Sequence, residues 1–309
     1  IRDSIYSPAK YGLATEMVHE SNLVKANAWL EVSTVLASIF GFLLGGFLVS
    51  ESFRGSVWAQ GLSAMMHESG SLYLSIAILI VMLSLASLLT RLLPDSGYRK
   101  EEKLAHWGEH IHDFLISLKL LWADKMGRVS LCLTTLFWGV GSTMQLLVLL
   151  WAQEILGFSL SQASYFQVTG AIGMVIGAWV AAAFIGVKDA IKLTNLGYII
   201  GLILMAMAWV SESWTASLLM IGVGTVCALL IVPFNALLQH RGKEILFSGQ
   251  SIAVQNFCEN TSVLMISLLY SALLALGISL KLLMVVFGLL ISISIFIIIR
   301  FNQDLKTQN

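Results

Sequence analysis

The sequence predicts an all-α polytopic membrane protein with eight full transmembrane helices. Of its 309 residues, 57% are hydrophobic and 12% are charged, whereas a soluble domain is about half apolar and about a quarter charged. Eight apolar runs are long enough to cross a bilayer, which takes about 20 residues in a helix. Lysine and arginine are concentrated in alternate loops. The formal net charge of zero argues against a nucleic-acid partner.

The predicted spans have approximate boundaries at 27–50, 72–93, 129–153, 161–185, 192–210, 215–237, 249–276 and 279–300. A short apolar stub, Ile1–Pro8, precedes them and is interpreted as the end of a ninth helix. The chain begins at Ile1, and this stub is too short to cross a membrane. We therefore expect the chain to be a fragment whose N-terminus is missing.

The basic residues predict the orientation of the spans. One set of alternate loops holds most of them, including Lys10 and Lys25, the long loop 94–128, and Arg241. The opposite set carries only Arg54 and Lys281. By the positive-inside rule the basic set is cytoplasmic. The C-terminus is therefore predicted to be cytoplasmic.

The long loop 94–128 contains a predicted amphipathic helix at the membrane interface. Its apolar residues recur at helical spacing, at Leu104, Trp107, Ile111, Phe114, Leu118 and Leu121. His106 and His110 are one turn apart, the spacing of a metal-ligand pair. No carboxylate–histidine motif accompanies them, so a solvated face is favoured and no metal site is predicted.

The sequence also contains an internal repeat. The segment "NAWLEVSTVL" (27–36) aligns without gaps on "QNFCENTSVL" (255–264), which places Asn27 on Gln255 and Glu31 on Glu259. Upstream, "IYSPAK" aligns on "LIVPFN", with Pro8 on Pro233 and Lys10 on Asn235. Internal duplications of this kind are typical of transporters.

Polar residues occur within two of the apolar runs, at positions related by the repeat. One polar stripe lies on a single face of the first run and consists of Asn27, Glu31, Thr34 and Ser38. A second stripe repeats the first three positions as Gln255, Glu259 and Ser262. Asn256 and Asn260 widen this second stripe. Two explanations are open: the glutamates serve structure alone, or they line a polar pathway. Ionisable groups inside membranes usually face a cavity or pathway, so the second explanation is favoured.

Glycines at one-turn spacing occur in two of the spans. Gly41 and Gly45 form one pair, and Gly170, Gly173 and Gly177 mark the segment "GAIGMVIG". Small residues at this spacing allow membrane helices to approach closely. We therefore predict helix packing at these positions.

Several motifs occur in the order found in one known family: "YSPAKYG" (6–12), "LVKANAWLEVST" (23–34), "LFWGVG" (136–141), "PFNALLQHRGK" (233–243) and "GQSIAVQNFCEN" (249–260). Over nearly its whole length the chain resembles the bacterial lysophospholipid transporter family of the major facilitator superfamily. The resemblance implies a twelve-helix fold, of which the stub and the eight spans are helices 4 to 12. It divides the chain into the remainder of the N-terminal bundle (1–93), a cytoplasmic linker (94–128) and a C-terminal six-helix bundle (129–309).

The resemblance implies a flippase that moves lysophosphatidylethanolamine-type lipids from the outer to the inner leaflet of the bacterial inner membrane. Besides this substrate and membrane lipid, a cytoplasmic acyltransferase/acyl-carrier-protein synthetase is an expected partner; no cofactor is expected. Glu31 and Glu259 are candidates for holding the headgroup ammonium, and Lys10 or Arg2 for meeting the phosphate. The other candidate binding residues are Asn27, Gln255, Asn256, Asn260, Gln145 and Asn235.

One position departs from the family pattern. Relatives carry an arginine in helix 7 where this chain has Gln145, which can hydrogen-bond a phosphate but cannot neutralise it. Arg2 and Asp3 lie in helix 4, where relatives are less charged. Three explanations are open: the basic partner has moved to Arg2, Arg2 pairs with Asp3, or the headgroup preference differs.

Two other classes of function compete with this one. A carrier of another small solute or a drug would share the fold, since fold alone does not fix the substrate. A membrane-embedded enzyme is disfavoured because the sequence contains neither H-E-x-x-H nor G-x-S-x-G.

Overall fold

The computed structural model describes residues 17–49, 53, 55–57, 60, 70–89, 91, 107–246 and 248–302, and these residues contain no strand. Their α-helices are α1 (Leu23–Val49), α2 (Gly70–Leu89), α3 (Trp107–Ala123), α4 (Lys125–Ile155), α5 (Leu160–Phe184), α6 (Gly197–Met207), α7 (Ser213–Ile245), α8 (Ser248–Ala275) and α9 (Leu280–Phe301). Two 3₁₀ segments, Glu20–Asn22 and Val187–Leu196, lead into α1 and α6.

The helices confirm the predicted all-α polytopic membrane protein. Within the described residues, seven segments are long and apolar enough to cross a membrane: Leu23–Gly45, Lys125–Ile155, Phe166–Phe184, Val187–Met207, Ser213–Ile245, Gly249–Ala275 and Leu280–Phe301. The remaining predicted span, 72–93, corresponds to α2, whose apolar part Tyr73–Leu89 is shorter. The predicted stub Ile1–Pro8 lies outside the described residues.

The described chain falls into two compact units, Ile1–Val35 with Glu102–Asn309, and Leu36–Glu101. In the first, the start of α1 and helices α4 to α9 share a hydrophobic core in which Trp151, Phe234 and Phe287 are fully buried. In the second, the Ser75 hydroxyl of α2 donates to the Leu48 carbonyl of α1 at 3.2 Å.

Helix α7 extends beyond its predicted end at 237 to Ile245. Its last turns are polar, and Arg241 pairs there with Asp124, the residue that caps α4. Hydropathy identifies only the apolar part of a helix. The backbone hydrogen bonds of α7 continue through the polar turns that follow its apolar part. The sequence-based boundary was therefore too short.

The predicted amphipathic helix of the linker is present as α3. One face of it, formed by Phe114, Leu118 and Leu121, packs on Leu131, Leu238 and Val254 of α4, α7 and α8. The Phe114 ring meets that of Phe257 edge-on, with centroids 5.1 Å apart. This helix is thus anchored to the ends of α7 and α8 that carry the candidate site.

The glycines of α5 bring that helix against α7. A Cβ built on Gly173 would lie 2.1 Å from the Ile221 carbonyl oxygen, and one on Gly177 would lie 2.1 Å from that of Thr225. The packing predicted at these two glycines is confirmed. Among the described residues no atom lies within 4 Å of a Cβ built on Gly41 or Gly45, whose packing stays a prediction.

Candidate functional site

Three helices each carry two polar residues spaced four apart, which places each pair on one helix face. All six side chains are buried, with at most 9% of their surface exposed. We call this set the polar cluster: Asn27 and Glu31 of α1, Asn235 and Gln239 of α7, and Gln255 and Glu259 of α8. Polar groups at such burial require hydrogen-bond partners. Within the set, hydrogen bonds join Asn27 to Gln239, and Gln255 to Asn235 and Glu259.

Gln255 is the centre of the α7–α8 part of the cluster. Its Nε2 donates to Asn235 Oδ1 at 2.9 Å and to Glu259 Oε1 at 2.7 Å. A side-chain amide has two N–H hydrogens, so these two contacts use both. The Thr134 hydroxyl of α4, which donates to the Leu131 carbonyl at 3.3 Å, lies close to Glu259. The Glu259 carboxylate is therefore held in position by Gln255, one turn earlier on the same helix.

Asn27 and Gln239 join α1 to α7 through a reciprocal amide pair. Asn27 Nδ2 donates to Gln239 Oε1 at 2.8 Å, and Gln239 Nε2 donates to Asn27 Oδ1 at 2.9 Å. The second Nδ2 hydrogen of Asn27 is directed to the Leu23 carbonyl oxygen at 2.9 Å. Leu23, Val24 and Ala28 are buried around the pair in the main hydrophobic core.

The two glutamates interact electrostatically within the cluster. Glu31 is 4% exposed and Glu259 is 9% exposed, so little water screens them. Two adjacent carboxylates repel each other, and a cationic group placed beside both is stabilised by both. The arrangement is therefore suited to receive a positively charged group.

The residues of the cluster all lie in the half of their helix that is nearer one end. Asn27 is four residues from the start of α1, about 6 Å along the axis, and Glu259 is eleven residues from the start of α8, about 16 Å along it. The starts of α1 and α8 and the end of α7 are the ends that the positive-inside rule assigns to the cytoplasm.

The structure places the other predicted site residues elsewhere. Asn260 is exposed, and its amide donates to the Asn256 carbonyl at 2.7 Å on an adjacent face of α8. Gln145 is exposed on α4, and its carbonyl accepts from Gln167 Nε2 at 2.8 Å. Arg2 and Lys10 lie outside the described residues.

Two members of the site were not found by sequence reasoning. Gln239 lies four residues after Asn235 in "NALLQ", the same spacing as Asn27 to Glu31, and this spacing could have identified it. Thr134 stands in the apolar segment "LCLTTLF", where threonine hydroxyls are unremarkable. Only the packing of α4 against α8 brings it to Glu259.

An ion-pair network borders the cluster at the end of α7. Arg241 Nε and Nη2 donate to Asp124 at 3.0 and 2.5 Å, and Nη1 donates to Glu244. Asp124 also accepts from the Gly127 N–H at 2.7 Å, which caps α4. Burial opposes ionisation of Asp124, but the contacts with Arg241 and Gly127 outweigh it and hold the pKa of this carboxyl below its ordinary value.

Comparison with known proteins agrees with this architecture. The family model described as Major Facilitator Superfamily matches residues 3–266. The lysophospholipid transporter LplT of Photorhabdus laumondii subsp. laumondii is 33% identical over 291 residues, which cover 94% of this chain and 68% of that protein.

Two further relatives are the lysophospholipid transporters LplT of Yersinia pestis (strain Pestoides F) and Yersinia pseudotuberculosis serotype O:3 (strain YPIII). Each is 33% identical over 273 residues, covering 88% of this chain and 63% of the relative. The chain therefore spans about two thirds of the length of the curated relatives it matches.

Proposed function

We propose a lysophospholipid transport function from family membership: the chain belongs to the Major Facilitator Superfamily and, within it, to the lysophospholipid transporter family. In this proposal the protein is a flippase of the bacterial inner membrane with its C-terminus in the cytoplasm. It moves lysophosphatidylethanolamine-type lipids from the outer to the inner leaflet.

The buried polar cluster is the observation that carries this proposal. A lysophosphatidylethanolamine headgroup presents one ammonium and one phosphate, and both need partners when they leave water. Glu31 and Glu259 lie together with little exposure and match the ammonium. The amides of Asn27 and Gln255 use both N–H hydrogens within the protein. Each can donate to a phosphate oxygen in exchange for one of these bonds, and Gln239 uses one of its two N–H hydrogens on Asn27.

The outer surfaces of the same helices suit the acyl chain. Trp29 on α1 and Phe257 on α8 each lie two residues after a cluster amide and are largely exposed, at 72% and 55%. Positions two apart on a helix point to different faces. A headgroup in the cluster could therefore keep its tail in hydrocarbon along the outside of α1 or α8.

A basic partner for the phosphate completes the proposed site. Lys10 or Arg2 is the proposed source of this charge, because the guanidinium of Arg241 is already engaged by Asp124 and Glu244. Gln145 is proposed to add a neutral hydrogen-bond donor. The remaining proposed headgroup contacts are Asn256, Asn260 and Asn235.

The product of the proposed reaction is a lysophospholipid in the inner leaflet. Such a lipid is a substrate for re-acylation at its free hydroxyl. We propose a cytoplasmic acyltransferase/acyl-carrier-protein synthetase as the partner that consumes it.

Uptake of labelled lysophospholipids by the full-length protein in spheroplasts tests the proposal. Removing a charged hydrogen-bond partner costs about 1.5–3 kcal/mol, so Glu31→Gln and Glu259→Gln should each lower lysophosphatidylethanolamine uptake about tenfold or more. Uptake of lysophosphatidylglycerol, which has no ammonium, should fall less.

Glu154→Gln is the matched control, because Glu154 is exposed at the far end of α4. Its uptake should equal that of the unchanged protein. Full uptake by both cluster variants at normal expression would contradict the assigned role of the glutamates. Absence of lipid uptake by the unchanged protein would instead favour a carrier of another solute.

A further inference from the structure

The two amides related by the sequence repeat have different partners in the structure. Gln255 bonds to Asn235 and Glu259, so its contacts stay within the predicted C-terminal bundle. Asn27 instead bonds to Gln239, which connects α1 of the predicted N-terminal bundle to α7 of the C-terminal bundle. A polar pair between bundles is a contact that any relative motion of the bundles has to break.

The pair also lies on one side of the glutamates. Asn27 precedes Glu31 by one turn of α1, and Gln239 follows Asn235 by one turn of α7. Asn27 is therefore about 6 Å nearer than Glu31 to the helix end that the positive-inside rule assigns to the cytoplasm. Gln239 is nearer than Asn235 to the corresponding end of α7 by the same distance. Leu23 and Val24, which precede Asn27 on α1, are also buried, so along α1 these side chains and the pair lie between Glu31 and that end.

The chemistry of the pair permits reversible opening. Its hydrogen bonds join two neutral amides, and interhelical hydrogen bonds in membranes are individually modest. When the pair separates, no charge is left unpaired, and water entering from the open end can replace both bonds. An ion pair at this depth would be harder to separate, because each charge would then be desolvated alone.

We propose that Asn27 and Gln239 form a latch that closes the cytoplasmic side of the polar cluster and opens during the transport cycle. The inference rests on the proposed transport function for the identity of the cargo. The closing contact itself is independent of that identity. A cargo held at Glu31 and Glu259 reaches the cytoplasm only when this amide pair has separated.

Thiol labelling of a cysteine at position 259 tests the latch without any lipid. The full-length protein, with all native cysteines replaced, including Cys132, Cys227 and Cys258, carries Glu259→Cys and is placed in inside-out vesicles. A membrane-impermeant maleimide should label it slowly. Adding Asn27→Ala or Gln239→Ala should accelerate labelling by roughly five- to tenfold, as expected for losing two modest interhelical bonds.

Matched controls are available on the same helices. Asn22→Ala changes an exposed asparagine just before α1, and Gln250→Ala changes a half-buried glutamine of α8, and neither should alter the rate. The exchanged pair Asn27→Gln with Gln239→Asn keeps the combined side-chain length and should restore slow labelling. Unchanged rates in both alanine variants, or acceleration only in right-side-out spheroplasts, would overturn the proposal.

Cross-linking links the latch to transport. A short bifunctional methanethiosulfonate joining Asn27→Cys to Gln239→Cys should stop lysophospholipid uptake, and reduction should restore it. Thr143→Cys with Ser267→Cys is the control, because these hydroxyls lie 3.4 Å apart between α4 and α8 of one bundle, and its uptake should survive cross-linking.

Transport that continues through a completed 27–239 cross-link would show that transport does not require the pair to separate and would overturn the latch. If labelling responds as expected but the unchanged protein carries no lysophospholipid, the latch stands and the proposed cargo fails.

Discussion

Asp124 serves two helices with one side chain. Its carboxylate accepts the Gly127 N–H at the start of α4 and also pairs with Arg241 at the end of α7. A capping bond satisfies a backbone donor that no helical carbonyl can reach. The ion pair connects the linker–α4 junction to α7 at the end where the polar cluster lies. Both interactions favour the charged form of the acid.

Substitutions at Asp124 should separate these two roles. Asparagine is also a good N-cap, so Asp124→Asn should lose the ion pair and retain most of the cap. Asp124→Ala should lose both and be less stable than Asp124→Asn by about 1 kcal/mol. Unfolding in detergent at pH 7 measures the difference. Equal stabilities of the two variants would show that the capping bond contributes nothing.

The stability of the unchanged protein should depend on pH through this group. The pKa of Asp124 in the folded protein lies below its ordinary value of 3.8. Its contribution is therefore complete above that value and is lost as the pH falls through the lowered folded pKa. Unfolding measured between about pH 2 and 7 should show this loss in the unchanged protein and not in Asp124→Asn. A parallel acid profile in both would contradict the assignment.

At the scale of helices, glycine sets the closest approach in the bundle. Gly173 and Gly177 bring α5 against the backbone of α7, and Gly224 lets α7 approach the Gly170 carbonyl in turn. Lipid tails are as apolar as the surfaces of membrane helices, so the hydrophobic effect does not drive these helices together. Close backbone packing therefore supplies much of the free energy of their association.

Gly173→Ala should destabilise the protein by about 1–3 kcal/mol, the usual cost of overpacking. The added methyl would meet the Ile221 carbonyl, which is backbone and cannot move aside as a side chain can. Gly141→Ala on α4 is the control, because no described atom lies within 4 Å of its Cβ. It should be neutral or stabilising by about 0.5–1 kcal/mol, since alanine favours helices over glycine. Thermal unfolding in detergent compares them, and equal effects would contradict the close α5–α7 packing.

For the whole molecule, the charges of the loops predict the orientation in the membrane. Lys119 lies on α3 in the basic linker, and Lys281 lies at the start of α9 in the sparsely basic set of loops. Both are exposed. The positive-inside rule places them on opposite sides of the bilayer.

Single cysteines should report this topology. In a background without native cysteines, Lys281→Cys should react with an impermeant maleimide on intact spheroplasts. Lys119→Cys should react only after permeabilisation. The reverse pattern would invert the orientation and place the polar cluster near the outer face.

The spans could be predicted from sequence because hydrophobic length is a local property of the chain. The apolar runs gave the transmembrane helices, and the spacing of Phe114, Leu118 and Leu121 gave α3. Ends were less accurate where polar turns continue a helix, as in α7 beyond 237. The repeat identified the two glutamates as related. Each follows an amide residue by four positions, and such a spacing can be read directly from the sequence.

Which side chains meet was decided only by tertiary structure. The repeat makes Asn27 and Gln255 equivalent, yet one binds across to Gln239 and the other binds Asn235 and Glu259. Thr134 of α4 lies close to Glu259, and the sequence around Thr134 does not indicate this contact. The sequence by itself therefore determined a membrane-spanning helical chain with two related polar stripes. The pairing of those stripes into one buried cluster depends on helix packing, because contacts between residues more than 200 positions apart follow from the arrangement of whole helices.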